Sequence, residues 1–248
     1  MSKIKKFFKK FIGTKTFYKE LITVSLPIAM QQLVSAIVNL LDGLMVSGYG
    51  STDAIDGVAV ASKYFTCFNN IMNMFAISCS VFIAQFFGAK MKEKIKRSFG
   101  VSLIICMSFS LVFLTIGLIL RRPIMELFTG GVTTNQAAFN YGVSYLSIVV
   151  FSFIPQAITN SFTSSFRAIK KTQVPFFSAC LAAFTNAFLN WVLIGGNLGV
   201  KPMGTAGAAL ATCIARVVEL TVLSIYFFYT KPAFYGNIKE IFNIDKDL

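Results

Sequence analysis

The chain has 248 residues, of which 55% are hydrophobic and only 13% are charged, a composition outside the range of soluble domains. Its net charge of +13 could indicate nucleic-acid binding, but the basic residues form short clusters between long apolar runs. Such clusters are typical of the cytoplasmic segments of membrane proteins. The five cysteines lie inside apolar runs with no paired spacing, which predicts neither disulfides nor a cysteine metal site.

In chain order, a basic segment precedes six apolar segments. Residues 1–19 hold seven lysines and place several apolar side chains on one side, which predicts an amphipathic helix on the cytoplasmic leaflet. A nucleic-acid arm is the less favoured interpretation. About 20 apolar residues cross the ~30 Å hydrocarbon core of a bilayer. On that basis, membrane spans are expected at 21–46, 57–87, 99–120, 139–166, 174–195 and 204–229.

These spans predict an all-α, polytopic membrane protein, with residues 20–230 as a six-helix lobe and 231–248 as a cytoplasmic linker. With the N-terminus inside, the cytoplasmic segments carry 7, 5, 3 and 3 basic residues, 18 in all. The outer loops hold only three, Arg121, Arg122 and Lys201. The excess of cytoplasmic Lys and Arg therefore places both ends of the chain in the cytoplasm.

The first span, from Leu21 to Met45, contains a single ionisable residue, Asp42. Gln31, Ser35, Asn39 and Asp42 are spaced by four, four and three residues, so they share one face of a helix. Because a carboxylate facing lipid is costly, this face is expected to line protein or a water-filled cavity. The three neutral residues could equally be polar contacts between helices, whereas function is the favoured interpretation for Asp42.

Polar residues of two later spans are expected at a similar depth to Asp42. Asn186 and Asn190 are four residues apart on the outer part of the fifth span, and Thr212 lies about eight residues into the sixth. At 1.5 Å per residue, all four positions fall within one or two helical turns of each other. Oxygen ligands around a carboxylate suit a proton or a small hard cation such as Na⁺. Bridging between helices remains the alternative.

Five blocks of this sequence resemble the MATE family of multidrug and toxic-compound extrusion transporters. In order, they are LPIAMQQLVSAIVNLLDGLMVSGYG, FIAQFFGAK, SFRAIKKTQVP, NAFLNWVLIGG and MGTAGAALATCIARVVE. The resemblance covers nearly the whole chain and implies a secondary transporter that exports cationic amphipathic compounds in exchange for H⁺ or Na⁺. It also implies a twelve-helix fold of two six-helix lobes around a central cavity, of which this chain would be the N-terminal lobe.

The resemblance assigns roles residue by residue. Pro27 matches the proline that kinks the first helix, and Asp42 matches the acid whose protonation or ion binding accompanies that bending. Asn186, Asn190 and Thr212 would complete the ion- or proton-coupling site. Gln31, Ser35, Asn39, Asn160 and Thr163 are the expected substrate-cavity residues, although the depth of Asn160 fits the coupling site less well.

Two departures from the family bear on function. Many relatives with the first-span acid carry a second Asp where this chain has Asn190, so proton coupling is favoured over Na⁺ coupling. The chain ends at Leu248 within what looks like the linker to a seventh helix, so a second lobe is expected from a C-terminal half or another chain. The alternatives are a flippase for lipid-linked sugars and a lobe without transport of its own. Enzymatic activity, a catalytic site, a bound cofactor and a structural metal are not expected.

Overall fold

The computed structural model describes residues 13–49, 52–128 and 136–242. Most of the predicted amphipathic segment and the last residues of the predicted linker lie outside the described residues. The described part is helical, and its α-helices are α1 (Lys15–Tyr49), α2 (Thr52–Gly88), α3 (Lys92–Ile119), α4 (Arg121–Phe128), α5 (Gln136–Val149), α6 (Phe153–Ala168), α7 (Gln173–Gly195), α8 (Gly204–Thr230) and α9 (Ile238–Ile241).

All six predicted spans are present as helices long and apolar enough to cross a membrane. The second and third spans begin earlier than predicted, at Thr52 instead of 57 and at Lys92 instead of 99. The predicted 88–98 loop is thus mostly the first turns of α3, because Lys, Glu and Arg are good helix formers wherever their charges reach water. Likewise, most of residues 47–56, which separate the first two predicted spans, is helix, and Asp53 lies in the first turn of α2, where the helix dipole favours an acid.

The fourth span is interrupted, which the sequence analysis did not predict. It consists of α5, a 3₁₀ turn over Val150–Ser152, and α6. Pro155 lies in the first turn of α6 and has no N–H for the carbonyl of Phe151, so the regular α-helical bonding cannot continue through this point. The Arg121-Arg122 pair also differs from the expected loop, since it begins the short helix α4, and Arg121 donates a hydrogen bond to Ser147 on α5.

Close helix crossings hold the lobe together. At Gly57 on α2, an added Cβ would collide with the backbone carbonyl of Ala138 and lie 2.8 Å from the nitrogen of Gly142 on α5. At Gly207 on α8, an added Cβ would lie 2.9 Å from the backbone carbonyl of Leu193 on α7. Small residues at such contacts let membrane helices approach closely enough for dispersion forces to hold them.

Two apolar cores occupy opposite ends of the lobe. One joins α2, α5 and α6 and includes the stacked rings of Phe68 and Phe153, whose centroids are 3.9 Å apart. The other surrounds Phe234, which follows α8 and is fully buried against Phe99, Phe166 and Phe227. The polar face of α1 and a cavity lie beside these cores.

Ion pairs connect segments that the topology places at one end of the lobe. Lys170, after α6, pairs with Glu20 near the start of α1 at 3.2 Å. Lys96 on α3 pairs at 2.9 Å with both Glu93 and Glu240, and its hydrogen bond lowers the pKa of the exposed Glu240 carboxyl. Residues 231–242 therefore pack against the same end as the start of α3. Which side of the membrane this end faces stays a prediction.

The first prediction concerns Phe234. Phe234→Ala should lower the free energy of unfolding by roughly 3 kcal/mol, because it leaves a cavity inside the second aromatic core. Thermal unfolding of the purified protein in detergent measures this loss. Phe184→Ala is the matched control, since Phe184 is 70% exposed and should tolerate truncation. Equal melting temperatures for the two variants would contradict the packing described for residues 231–242.

Candidate functional site

A cavity of about 560 Å³ opens between α1, α2, α5, α6, α7 and α8. Its lining alternates small apolar residues with amides, hydroxyls and four charged side chains. The charged residues are Asp42 toward one end, Arg167 and Glu219 toward the other, and Arg216, which interacts with both Asp42 and Glu219. A cavity of this size can hold a drug-sized molecule.

The polar face predicted on the first span lies on the cavity. Gln31, Ser35, Asn39 and Asp42 all line it, whereas Leu33, Ile37, Leu40 and Leu44 on the other faces of α1 are exposed, as lipid-facing residues would be. Their roles in coupling or substrate binding stay predictions. The cost of placing polar groups toward lipid explains why one sequence pattern separates the two surfaces of this helix.

Hydrogen bonds link Asp42 to the fifth and sixth spans. The side-chain amide of Asn190 on α7 donates to Oδ1 of Asp42 and lies 3.2 Å from Oδ1 of Asn186. The amide nitrogen of Asn186 lies 3.5 Å from the hydroxyl of Thr212 on α8, which in turn donates to the carbonyl of Ala208. The four residues predicted at one depth are therefore brought together, with Asn190 fully buried behind the cavity wall.

No basic side chain forms a salt bridge with Asp42 among the described residues. Lys63 on α2 is exposed and does not line the cavity, and the basic residue whose charge acts on Asp42 is Arg216 on α8. The side-chain oxygen of Asn190, Oδ1, is also buried without a hydrogen-bond partner in the described part of the chain. A partly buried carboxylate and an unfilled amide oxygen can together accept a proton or a small cation.

The other end of the cavity carries a second polar cluster. Arg167, at the end of α6, donates from Nη2 to the side-chain oxygen of Gln31 at 2.7 Å. Arg216 and Glu219, three residues apart on α8, form an ion pair with a distance of 2.7 Å. Arg167 follows directly after the predicted fourth span, 139–166, and was therefore expected in a cytoplasmic segment. Its long side chain instead lies along the cavity wall, while Lys170 and Lys171 after it lie at the end of the lobe.

The predicted cavity residues of the fourth span, Asn160 and Thr163, line this second half of the cavity. Asn160 accepts a hydrogen bond from Gln156 one turn earlier on α6, at 3.1 Å, and both Asn160 and Thr163 are 8% exposed. Asn160 makes no hydrogen bond to the Asp42 group, which consists of Asp42, Asn186, Asn190 and Thr212, among the described contacts. This agrees with its expected depth. Tyr145 on α5 also lines the cavity and was missed, since a lone tyrosine in an apolar run carries no periodic signal.

Pro27 lies inside α1, which stays helical without interruption through it. A proline cannot donate to the carbonyl four residues earlier, here that of Thr23. The hydroxyl of Thr172, just before α7, is 3.5 Å from that carbonyl and supplies a replacement donor. The role of Pro27 in a helix kink stays a prediction.

Comparisons with known proteins all point to one family. The MatE family model matches residues 27–192. Probable multidrug resistance protein NorM of Bacillus anthracis is 27% identical over 232 residues, covering 93% of this chain and 48% of that protein. Probable multidrug resistance protein YoeA of Bacillus subtilis is 25% identical over 199 residues, covering 78% and 42%. This chain spans about half the length of the curated relatives it matches.

Solved structures share the fold. A crystal structure of MATE in the bent conformation aligns with a TM-score of 0.81 at 19% identity, covering 93% of this chain and 49% of that one. An outward-facing multidrug resistance MATE family transporter of the MOP superfamily aligns with a TM-score of 0.79 at 19% identity, covering 92% and 49%. The matched region again corresponds to about half of each structure.

The site prediction concerns the Asp42–Asn190 contact. In a double-mutant cycle with Asp42→Asn and Asn190→Leu, thermal unfolding should yield a coupling free energy of about 1.5–3 kcal/mol, as for a hydrogen bond to a charged group. The exposed pair Glu20–Lys170 is the matched control, with an expected coupling below about 1 kcal/mol. Additive effects of the Asp42 and Asn190 variants would show that the two side chains do not interact.

Proposed function

The chain belongs to the MatE family, and on that premise we propose that it forms one lobe of a secondary antiporter that exports cationic amphipathic compounds in exchange for H⁺ or Na⁺. The observation that carries the proposal is the placement of the Asp42 carboxylate on the cavity with an amide donor, Asn190, and no salt-bridge partner among the described residues. Such a carboxylate can attract a cationic substrate when ionised and release it when its charge is neutralised.

Competition for Asp42 supplies the coupling in this proposal. When Asp42 is ionised, a cation in the cavity gains an electrostatic contact that is strong because little water separates the charges. When a proton or Na⁺ binds there, the cationic substrate loses its counter-charge and leaves. A ligand shifts the balance between two cavity states only through its different affinity for them, and a charge change at Asp42 provides that difference.

Protons are the favoured coupling ion because the Asp42 group contains one carboxylate. Asn190, Asn186 and Thr212 contribute neutral oxygens, so a bound Na⁺ would meet a single negative charge. A single carboxylate takes up one proton per cycle without any need for further ligands. Na⁺ remains the alternative, and the experiment below distinguishes it.

A second lobe is part of the proposal. The cavity lies along α1, and α1 contacts mainly α7 while its other faces are exposed. A transporter that alternates its access needs a wall on both sides of the substrate. We therefore expect a second six-helix lobe opposite α1, supplied by the same polypeptide, by another chain or by a second copy of this one.

The function is tested in the source cell, where any second lobe is present. Asp42→Asn introduced at the chromosomal locus should abolish pH-driven uptake of a cationic dye into inverted membrane vesicles, because the variant cannot exchange its charge for a proton. Asp56→Asn is the matched control, since Asp56 is exposed on α2 and does not line the cavity. Immunoblotting of the membranes confirms equal amounts of both variants.

Three results would contradict parts of the proposal. Unchanged dye uptake in the Asp42→Asn vesicles would refute coupling through Asp42. Uptake that requires a Na⁺ gradient and ignores a pH gradient would replace H⁺ by Na⁺. Vesicles of the unaltered strain that move a fluorescent lipid-linked sugar but no cationic dye would refute drug export in favour of a flippase.

A further inference from the structure

Arg167 lines the end of the cavity away from Asp42 and forms no salt bridge among the described residues. Its Nη2 donates to the neutral side-chain oxygen of Gln31, while Glu219, the carboxylate that acts on its charge, forms its ion pair with Arg216 at 2.7 Å. Asp42 is eleven residues from Gln31 along α1, or about 16 Å, so it is remote from Arg167. Arg216 differs, because its charge interacts with both Asp42 and Glu219.

Several hydrogen-bond donors at this end are buried and unused. The Nε atoms of Arg167 and Arg216, the amide nitrogen of Asn160 and the hydroxyl of Thr163 have no partner within the described residues. Asn160, Thr163 and Arg167 follow one another on α6 at spacings of three and four residues, so they share one face. Buried donors of this kind are normally satisfied, which indicates that something absent from the protein chain accepts from them.

The chemistry of the missing partner follows from the donors. Arginine binds carboxylates and phosphates through a planar fork of N–H groups, and charge-assisted hydrogen bonds of this kind are the strong ones. An oxyanion beside Arg167 would form a salt bridge with it and accept from Asn160 and Thr163 at once. A cation or a purely apolar group would do neither.

We propose that Arg167, with Asn160, Thr163 and the Nε of Arg216, forms an oxyanion subsite beside Gln31 in the cavity. Its ligand is a carboxylate or phosphate, borne by a transported amphiphile or by a lipid headgroup. Gln31 positions Arg167, and Glu219 limits the affinity by occupying Arg216. The inference rests on the proposed function, since it assigns the second end of the same substrate cavity, and it adds an anionic group to the substrates or lipids that the cavity accepts.

Two probes that share one fluorophore, and of which one has a carboxylate where the other has a methyl ester, test the subsite. Tetramethylrhodamine methyl ester is a cation, and tetramethylrhodamine free acid carries the same fluorophore with a carboxylate. Their binding is measured by fluorescence polarisation on the protein purified from source membranes together with any partner chain. We expect the unaltered protein to bind the free acid about tenfold tighter than the ester, the size of one charge-assisted hydrogen-bonded contact.

Substitutions of the two arginines and of Glu219 should shift the preference for the free acid in opposite directions. Arg167→Gln should bring the ratio of free-acid to ester affinity close to one, Arg216→Gln should lower it, and Arg167→Lys should retain part of it. Glu219→Gln should raise the preference, because it frees Arg216 from its internal counter-ion. Arg122→Gln is the matched control, since it removes an exposed arginine outside the cavity. Melting temperatures identify any variant that fails to fold.

The source of the oxyanion is distinguished by competition. Displacement of the free acid by soluble dioctanoyl phosphatidylglycerol, but not by acetate or inorganic phosphate, supports a lipid headgroup in this subsite. Failure of that lipid to compete supports a substrate-borne carboxylate.

Failure of the subsite and failure of the proposed function have different signatures. Equal binding of the two probes by the unaltered protein, with ester binding still lost in Asp42→Asn, would overturn the subsite alone. Binding of neither probe would contradict the proposed function. A Glu219→Gln variant that weakens both probes equally would show that Arg167, Arg216 and Glu219 only hold the helices together.

Discussion

The lobe depends on one constraint: a carboxylate inside a membrane-spanning helix must have polar surroundings. Asp42 is the ionisable residue of the apolar part of α1, and lipid cannot solvate it. Its polar surroundings are a cavity on one side and the amide of Asn190 on the other. Asn190 is positioned by the close crossing of α7 with α8 at Gly207, so the packing of the lobe and the solvation of Asp42 depend on the same helix pair.

The cavity contains two carboxylates and two guanidinium groups along its length. Asp42 lies toward one end and Arg167 toward the other, and the Arg216–Glu219 ion pair interacts with both. Because these groups are partly or fully buried, each charge acts more strongly than it would at a surface. Export of cations concerns the first end, and the proposed oxyanion subsite concerns the second. A single amphiphile can contact both, which gives the two halves of the cavity distinct effects on selectivity.

Much of this arrangement could be predicted from the sequence. Long apolar runs predicted all six spans, and helical depth at 1.5 Å per residue placed Asn186, Asn190 and Thr212 near Asp42. The start of α3 was predicted too late because lysines that reach water do not end a helix. Arg167 lies just past the predicted fourth span, and its place on the cavity was missed because sequence does not reveal which way a long side chain turns. The burial of Phe234 depends on contacts with α3 and α6, which are distant in sequence, as well as with the preceding α8, and no local pattern encodes them.

Proton release on substrate binding tests the central claim most directly, because it reports the charge of Asp42 itself. The purified protein, with any partner chain, is mixed with a cationic amphiphile in weakly buffered solution, and the pH change is followed with an indicator dye. The account predicts about one proton released per cation bound by the unaltered protein, and none by Asp42→Asn. Equal proton release by both proteins would contradict proton exchange at Asp42. Release of one Na⁺ in place of each proton would contradict it as well.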